Sequence, residues 1–215
     1  MDFVRENADL FLDAFLTTLG LSLLAGLLAL VLGTLLAAMR VSPIPPLRGL
    51  ATFYVETFRN TPLTVVFFFI IFGLPQIDFV IGFFPGAVLS VGLYTAAFVC
   101  EAVRSGVNAV SGGQAEAARA LGLTFGQSLR EVVLPQAFRT VVPPLGNVLI
   151  AMVKNTSIAA GFSVSDLSSL LPRLVNADAG DLTLVLVGVV VGYMVITLPS
   201  ALAVNRIERR VAILR

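Results

Sequence analysis

Between Asp13 and Arg40 the chain carries no charged side chain, and residues 14–39 are predominantly apolar. A helix needs about 20 such residues to cross the hydrocarbon core of a bilayer. In lipid no water is available to the backbone, so its N–H and C=O groups must pair with one another, and a continuous apolar run does that only as a helix. Four further stretches have the same character, giving five expected spans at about 14–39, 53–74, 79–104, 140–165 and 182–205. The second is the shortest in uncharged sequence, residues 60–77, and is taken back past Arg59; the fourth is interrupted only by Lys154. A transmembrane barrel would alternate apolar and polar residues over shorter segments, which this chain does not do.

Composition agrees with a single all-α membrane domain over residues 1–215. Mean hydropathy is +0.96 and only 13% of residues are charged, so lipid rather than water is the solvent for most of the chain. A net charge of +1 supplies no electrostatic footprint for nucleic acid, and no nucleic-acid partner is expected. The chain has no histidine and a single cysteine, Cys100. That removes the commonest general base and metal ligand and rules out a disulfide within the chain, so no catalytic or metal-binding residue is assigned and no enzyme activity is expected. The opening residues MDFVRENADLFLD are acidic rather than basic, and the apolar run behind them is too long for a secretory signal; they are expected to form a short amphipathic tail.

Lys and Arg set the expected orientation. Segments on one side of the five spans hold Arg5 and Arg173. Those on the other hold Arg40, Arg48, Arg59, Arg104, Arg119, Arg130, Arg139, Arg206, Arg209, Arg210 and Arg215. Two against eleven puts the N-terminus outside and the C-terminus in the cytoplasm. RVSPIPPLRG, residues 40–49, is expected to be a short proline-stiffened cytoplasmic turn. No internal repeat appears, which argues against a self-contained inverted-repeat carrier.

The longest charged interval, residues 111–135, lies between spans three and four on the cytoplasmic side. Ser111 and Gln114 have the spacing of a capping box, and Gly122 supplies a left-handed helix end, predicting a helix over about 112–121. Thr124 and Gln127 repeat the box, Phe125, Leu129, Val132 and Val133 share a face, and Pro135 is expected to stop or bend the second helix. Two short helices joined at a glycine make a compact knob. A helix lying on lipid would set bulky apolar residues against several basic ones, whereas QAEAARAL exposes Glu116 and Arg119 among alanines, a surface suited to a protein groove.

Glu116-Ala117-Ala118, Gly122 four residues on, and Val132 with Leu134-Pro135 resemble the EAA loop of the membrane-spanning subunits of bacterial ATP-binding cassette importers, with Val132 where the family usually has Ile. ETFRNTPL (56–63), QAEAARALGL (114–123), VLPQAFRTVVPPLGN (133–147) and VKNTSIA (153–159) are similar to the polar amino-acid permeases of that group. The resemblance covers essentially the whole chain. It implies the type I importer transmembrane fold in a bacterial cell membrane, with the knob as a coupling helix on which Glu116, Ala117, Ala118 and Gly122 meet the ATPase. It also implies the partners: two ATPase subunits, a second permease that is identical or homologous, an extracytoplasmic solute-binding protein, and a polar amino acid such as glutamate or glutamine. No GxxxxGK[ST] loop occurs here, so ATP and its Mg belong to the partner ATPase and this chain itself holds no cofactor.

Lys154 lies well inside span four, where a charge costs about 2.5–3.5 kcal/mol on insertion scales and therefore faces a cavity or a partner. Asn147, Lys154 and Ser157 fall near one helical face, with Asn155 and Thr156 beside them. In span two, Arg59-Asn60-Thr61 precede Pro62, which frees backbone groups tolerable only next to protein or water. The residues leave two readings of this belt: a translocation path in which Lys154 meets the substrate carboxylate, or a cation that pins helices or subunits together. Glu101 and Arg104, three apart, are expected to form a local ion pair. The competing functions are a membrane scaffold that transports nothing, and a channel or carrier independent of ATP.

Overall fold

The computed structural model describes residues 7–177 and 182–211, and all regular structure among them is helical. Residues 1–6, the first part of the expected tail, and Arg5 and Arg215 of the charge count lie outside the described residues. The acidic residues that follow do not form a separate tail: one helix, α1 (Ala8–Val41), runs through Asp9 and Asp13 into the first span without a break.

After α1, only Ser42 to Ile44 intervene before α2 (Pro45–Arg59). The prolines expected to stiffen a turn instead start this helix, Pro45 and Pro46 occupying its first positions, where a missing N–H costs nothing. The second span is not a straight helix over 53–74. α2 ends at Asn60, the chain turns through 105°, and α3 (Leu63–Phe68) sets off behind Pro62, continuing through a π turn (Phe69–Gly73) and a 3-10 turn (Leu74–Ile77). Pro62 takes an extended backbone, φ −60° and ψ 138°, and side chains bond the last carbonyls at the break: Asn60 Nδ2 donates to the Glu56 carbonyl (2.7 Å), which also accepts from Asn60 N (3.2 Å), and Thr61 Oγ1 donates to that of Thr57 (2.8 Å). The third span, α4 (Phe83–Asn108), begins and ends about four residues later than expected.

Beyond it come α5 (Gly112–Ala120) and α6 (Phe125–Gln127), the latter passing through a π turn (Ser128–Val133) into α7 (Leu134–Asn155). Pro135 therefore neither stops nor separates the helix. It has no N–H for the carbonyl one turn back, and the wider turn immediately before it absorbs that loss, with Gln136 Nε2 donating to the Val132 carbonyl at 2.9 Å. α7 continues as a 3-10 turn (Thr156–Phe162), reverses at Ser163 (φ 61°), and leads through a second such turn (Leu167–Ser169) to α8 (Leu170–Ala177) and the last span, α9 (Leu182–Val211). Among the described residues four helices are long and apolar enough to cross a membrane, and the bent α2–α3 pair is the fifth candidate.

Small residues decide how these helices pack. The buried face of α1 includes Ser22, Ala25, Gly26, Ala29, Gly33 and Ala37, which lets α4 lie almost against its backbone at Gly33. The central cluster joins α1 (Leu21), α3 (Val66, Phe67), α4 (Ala87, Val91) and α7 (Met152, Val153). A second cluster at the arginine-rich end joins Leu36, Val55, Ala97 and Cys100; a third, at the opposite end, joins Ala14, Leu167, Leu170, Val185 and Val189.

The crossing between α4 and α7 is also close. A Cβ on Gly106 would stand 2.2 Å from Val141 Cγ2 and 2.9 Å from the Val141 nitrogen, and Thr140 Oγ1 donates to the Gly106 carbonyl at 2.7 Å. Gly106→Val therefore forces the two backbones apart. The expected cost is at least about 2 kcal/mol, seen as a lowered unfolding temperature in detergent; an unchanged temperature would contradict this packing.

Candidate functional site

Two regions bring together the residues singled out in the sequence. The first is the knob. Ser111 stands at the head of α5 but does not form its expected box: the side chain makes no capping hydrogen bond, and only its carbonyl accepts from Gln114 N. The box at Thr124 does form, with Gln127 N donating to Thr124 Oγ1 and Thr124 N to Gln127 Oε1. Gly122 has φ +85°, the left-handed geometry its place at the helix end called for, and its N–H closes onto the Arg119 carbonyl at 2.9 Å. Ala118 is buried against the second helix, while Glu116, Ala117 and Gly122 are exposed. Leu121 and Phe125 are 84% and 76% exposed, an apolar tip that nothing among the described residues covers.

The second region runs along α7. Its core face carries Leu149, Met152 and Val153; the opposite face presents Asn147, Ala151 and Lys154, all exposed. Lys154 makes no hydrogen bond or ion pair through its side chain among the described residues. Asn155 lines a cleft of about 160 Å³ between α4 and α7, with Tyr94, Thr95, Phe98 and Val148. Thr156 is not on this face. It is fully buried, and its Oγ1 donates to the Val153 carbonyl at 2.7 Å, because the change from α to 3-10 winding rotates the residues after Asn155. Ser157 is half-buried one residue further along the same turn.

Arg59, Asn60 and Thr61 do not act as one group. Asn60 and Thr61 cap the end of α2, and Thr61 also borders an apolar groove with Phe58, Val65 and Phe69. Arg59 lies over the Phe98 ring, 5.9 Å from its centroid, and so stands at one end of the cleft that Asn155 lines.

The expected local pair of Glu101 and Arg104 is part of a larger assembly. The Glu101 carboxylate bonds Arg104, accepts from Arg40 Nη1 at 2.7 Å and lies 3.8 Å from Arg59 Nη1. One acid thus ties α1, α2 and α4 together where they approach the knob. Arg40 and Arg59 are far from Glu101 in sequence, and only the crossing of α1 over α4 brings them there. The Tyr94, Phe98 and Glu101 spacing, by contrast, was a readable helical face.

At the opposite end lies a polar knot that the sequence did not reveal. Asp166 is fully buried; its Oδ1 accepts from Ser169 N (3.0 Å) and its Oδ2 from the Tyr193 hydroxyl (3.1 Å). Thr18 Oγ1 accepts from Leu167 N at 3.0 Å, which joins α1 to the same turn. Burial pushes the Asp166 carboxyl up to about 6. Because the folded value lies above the ordinary one, this group's contribution to stability is complete below about pH 4 and lost as pH rises through about 6. The wild-type unfolding temperature is expected to fall across that window and that of Asp166→Asn to stay flat, a difference of up to about 3 kcal/mol at 1.36 kcal/mol per unit. Parallel curves would contradict it.

Comparison with known proteins adds the following. Residues 14–213 match the family described as binding-protein-dependent transport system inner membrane component. The glutamate transport system permease protein GluC of Corynebacterium glutamicum is 43% identical over 214 residues, 94% of each chain. The protein named "Probable glutamine ABC transporter permease protein GlnM" of Bacillus subtilis is 38% identical over 205 residues, covering 95% of this chain and 94% of its own. Among solved structures, a chain in the crystal structure of an amino acid ABC transporter with histidines superposes with a TM-score of 0.88 at 32% identity, covering 96% of both chains.

Proposed function

The chain belongs to the family of binding-protein-dependent transport system inner membrane components, and from that premise we propose that it is the permease subunit of an ATP-driven importer of polar amino acids. It is a multi-pass membrane protein. In this reading the arginine-rich end is cytoplasmic, ATP and Mg are bound by two separate ATPase subunits, and a solute-binding protein delivers substrate from outside. A second permease, identical or homologous, covers the exposed face of α7. Glutamate, aspartate, glutamine and arginine are among the substrates named for relatives of this chain, and glutamate is the first choice for this one.

The observation that carries the reading is the knob: two short helices locked by Gly122 and the Thr124 box, projecting an uncovered apolar tip from the arginine-rich end. Glu116, Ala117, Ala118 and Gly122 form or support the surface that meets the ATPase. Asn147, Lys154 and Asn155 line the path between the two permeases, and Arg59 stands at its cytoplasmic end. Asn60 and Thr61 hold the break in span two, and Thr156 and Ser157 set the turn that ends α7. The test is ATP hydrolysis by the purified, liposome-embedded complex, with the binding protein presented empty or loaded with glutamate, glutamine or arginine. Hydrolysis that rises with one loaded form supports the importer; hydrolysis indifferent to the binding protein contradicts it.

A further inference from the structure

The knob contains a pocket of its own. Ala115 and Arg119 on α5 face Phe125, Ser128, Leu129 and Val133 across a cavity of about 170 Å³. Its walls are apolar apart from two groups. Ser128 is among the residues that line it and is only 3% exposed, and its Oγ has no hydrogen-bond partner among the described residues. Leaving such a hydroxyl unpaired costs about 1–3 kcal/mol, which a stable surface loop has no reason to carry unless something else completes it. Arg119 is exposed and makes no ion pair among the described residues, unlike Arg130, which lies 3.6 Å from Glu131. A donor and a free cation at one small apolar cavity describe a site for an anionic acceptor, for which guanidinium offers paired N–H groups. A cavity of this size has room for an aspartate or glutamate side chain and is far too small for a helix.

We propose that this pocket receives one aspartate or glutamate side chain of the ATPase subunit, whose carboxylate accepts from Ser128 Oγ and pairs with Arg119. The inference rests on the reading that the knob docks on the ATPase, and it makes the docking reciprocal: the knob enters a cleft of its partner and the partner's acid enters the knob. Phe125, which lines the pocket and is 76% exposed, excludes water once the surfaces meet, which strengthens the charge-assisted bond.

The chain has one lysine, Lys154, so a second lysine at the pocket gives an unambiguous chemical probe. The complex carrying Arg119→Lys is treated with a water-soluble carbodiimide, which joins amine and carboxylate only in direct contact, and the linked peptides are sequenced by mass spectrometry. A bond from position 119 to an acidic residue of the ATPase is expected. Retention of the ATPase on the purified permease is measured alongside: Arg119→Glu is expected to weaken it tenfold or more, and Ser128→Ala about fivefold. The proposal is overturned if the intact Arg119→Lys complex links position 119 only to Glu116 or Glu131 of its own chain or not at all, or if Arg119→Glu retains the ATPase as well as the unaltered chain does. If the unaltered chain itself retains no ATPase, the docking reading fails rather than the pocket alone.

Discussion

Replacing Gly122 by aspartate is expected to abolish ATP-driven uptake, by tenfold or more, while leaving the chain folded in the membrane. The expectation of an intact fold comes from the geometry at this position. A Cβ built on Gly122 meets nothing within 4 Å, so the side chain adds no collision. The remaining cost is the left-handed backbone at φ +85°, about 1–2 kcal/mol for a residue with a side chain and less for aspartate, which tolerates that region. What the substitution does change is the docking surface: it places a charge at the exposed turn between the two helices and loosens the angle at which the knob is held. A folded, membrane-inserted variant that hydrolyses ATP without transport would assign Gly122 to coupling. Normal uptake would remove it.

Lys154→Ala is expected to lower uptake by about tenfold to a hundredfold in kcat/KM, the range set by losing one charge-assisted hydrogen bond of about 1.5–3 kcal/mol to a substrate carboxylate. Two roles for this lysine make different predictions. Its side chain makes no hydrogen bond or ion pair among the described residues, so its removal breaks none there, and it relieves an insertion penalty of about 2.5–3.5 kcal/mol. If Lys154 lines the path, the variant keeps both permeases together and transports poorly, and Lys154→Arg recovers part of the activity. If it pins the neighbouring permease, the variant loses that subunit during purification. Unchanged kinetics in an intact complex would exclude the path role.

Much of the fold was legible because a bilayer leaves the backbone few choices. The uncharged runs around 14–39 and 182–205 each lie within one helix, and Gly122 and the Thr124–Gln127 box took the geometry their residue types require. The places where the sequence misled share one cause: a helix signal that local chemistry modifies. Pro45 and Pro46 read as a turn yet open a helix, since the first turn has no use for the N–H that proline lacks. Pro62 and Pro135 carry the same sequence signal but have opposite outcomes. At Pro62 the extended backbone, held by Asn60 and Thr61, gives a 105° bend; at Pro135 a π turn carries the helix straight through. Among the site residues, Lys154 and Asn147 share the face that α-helical periodicity gives them, but periodicity fails at Thr156, where 3-10 winding begins. Beyond the expected Glu101–Arg104 pair, the Glu101 cluster was not visible, nor was the Asp166 knot, because each joins residues from distant elements.

Labelled glutamate uptake into liposomes tests the central claim most directly. The liposomes hold the purified complex, with the binding protein added outside and ATP trapped inside. The account predicts accumulation above the external concentration that requires ATP, Mg and the binding protein together. Uptake that stops at equilibrium and ignores ATP would contradict it in favour of a passive carrier or channel. No uptake of glutamate, glutamine or arginine by an intact, ATP-hydrolysing complex would contradict it in favour of a subunit that transports none of them.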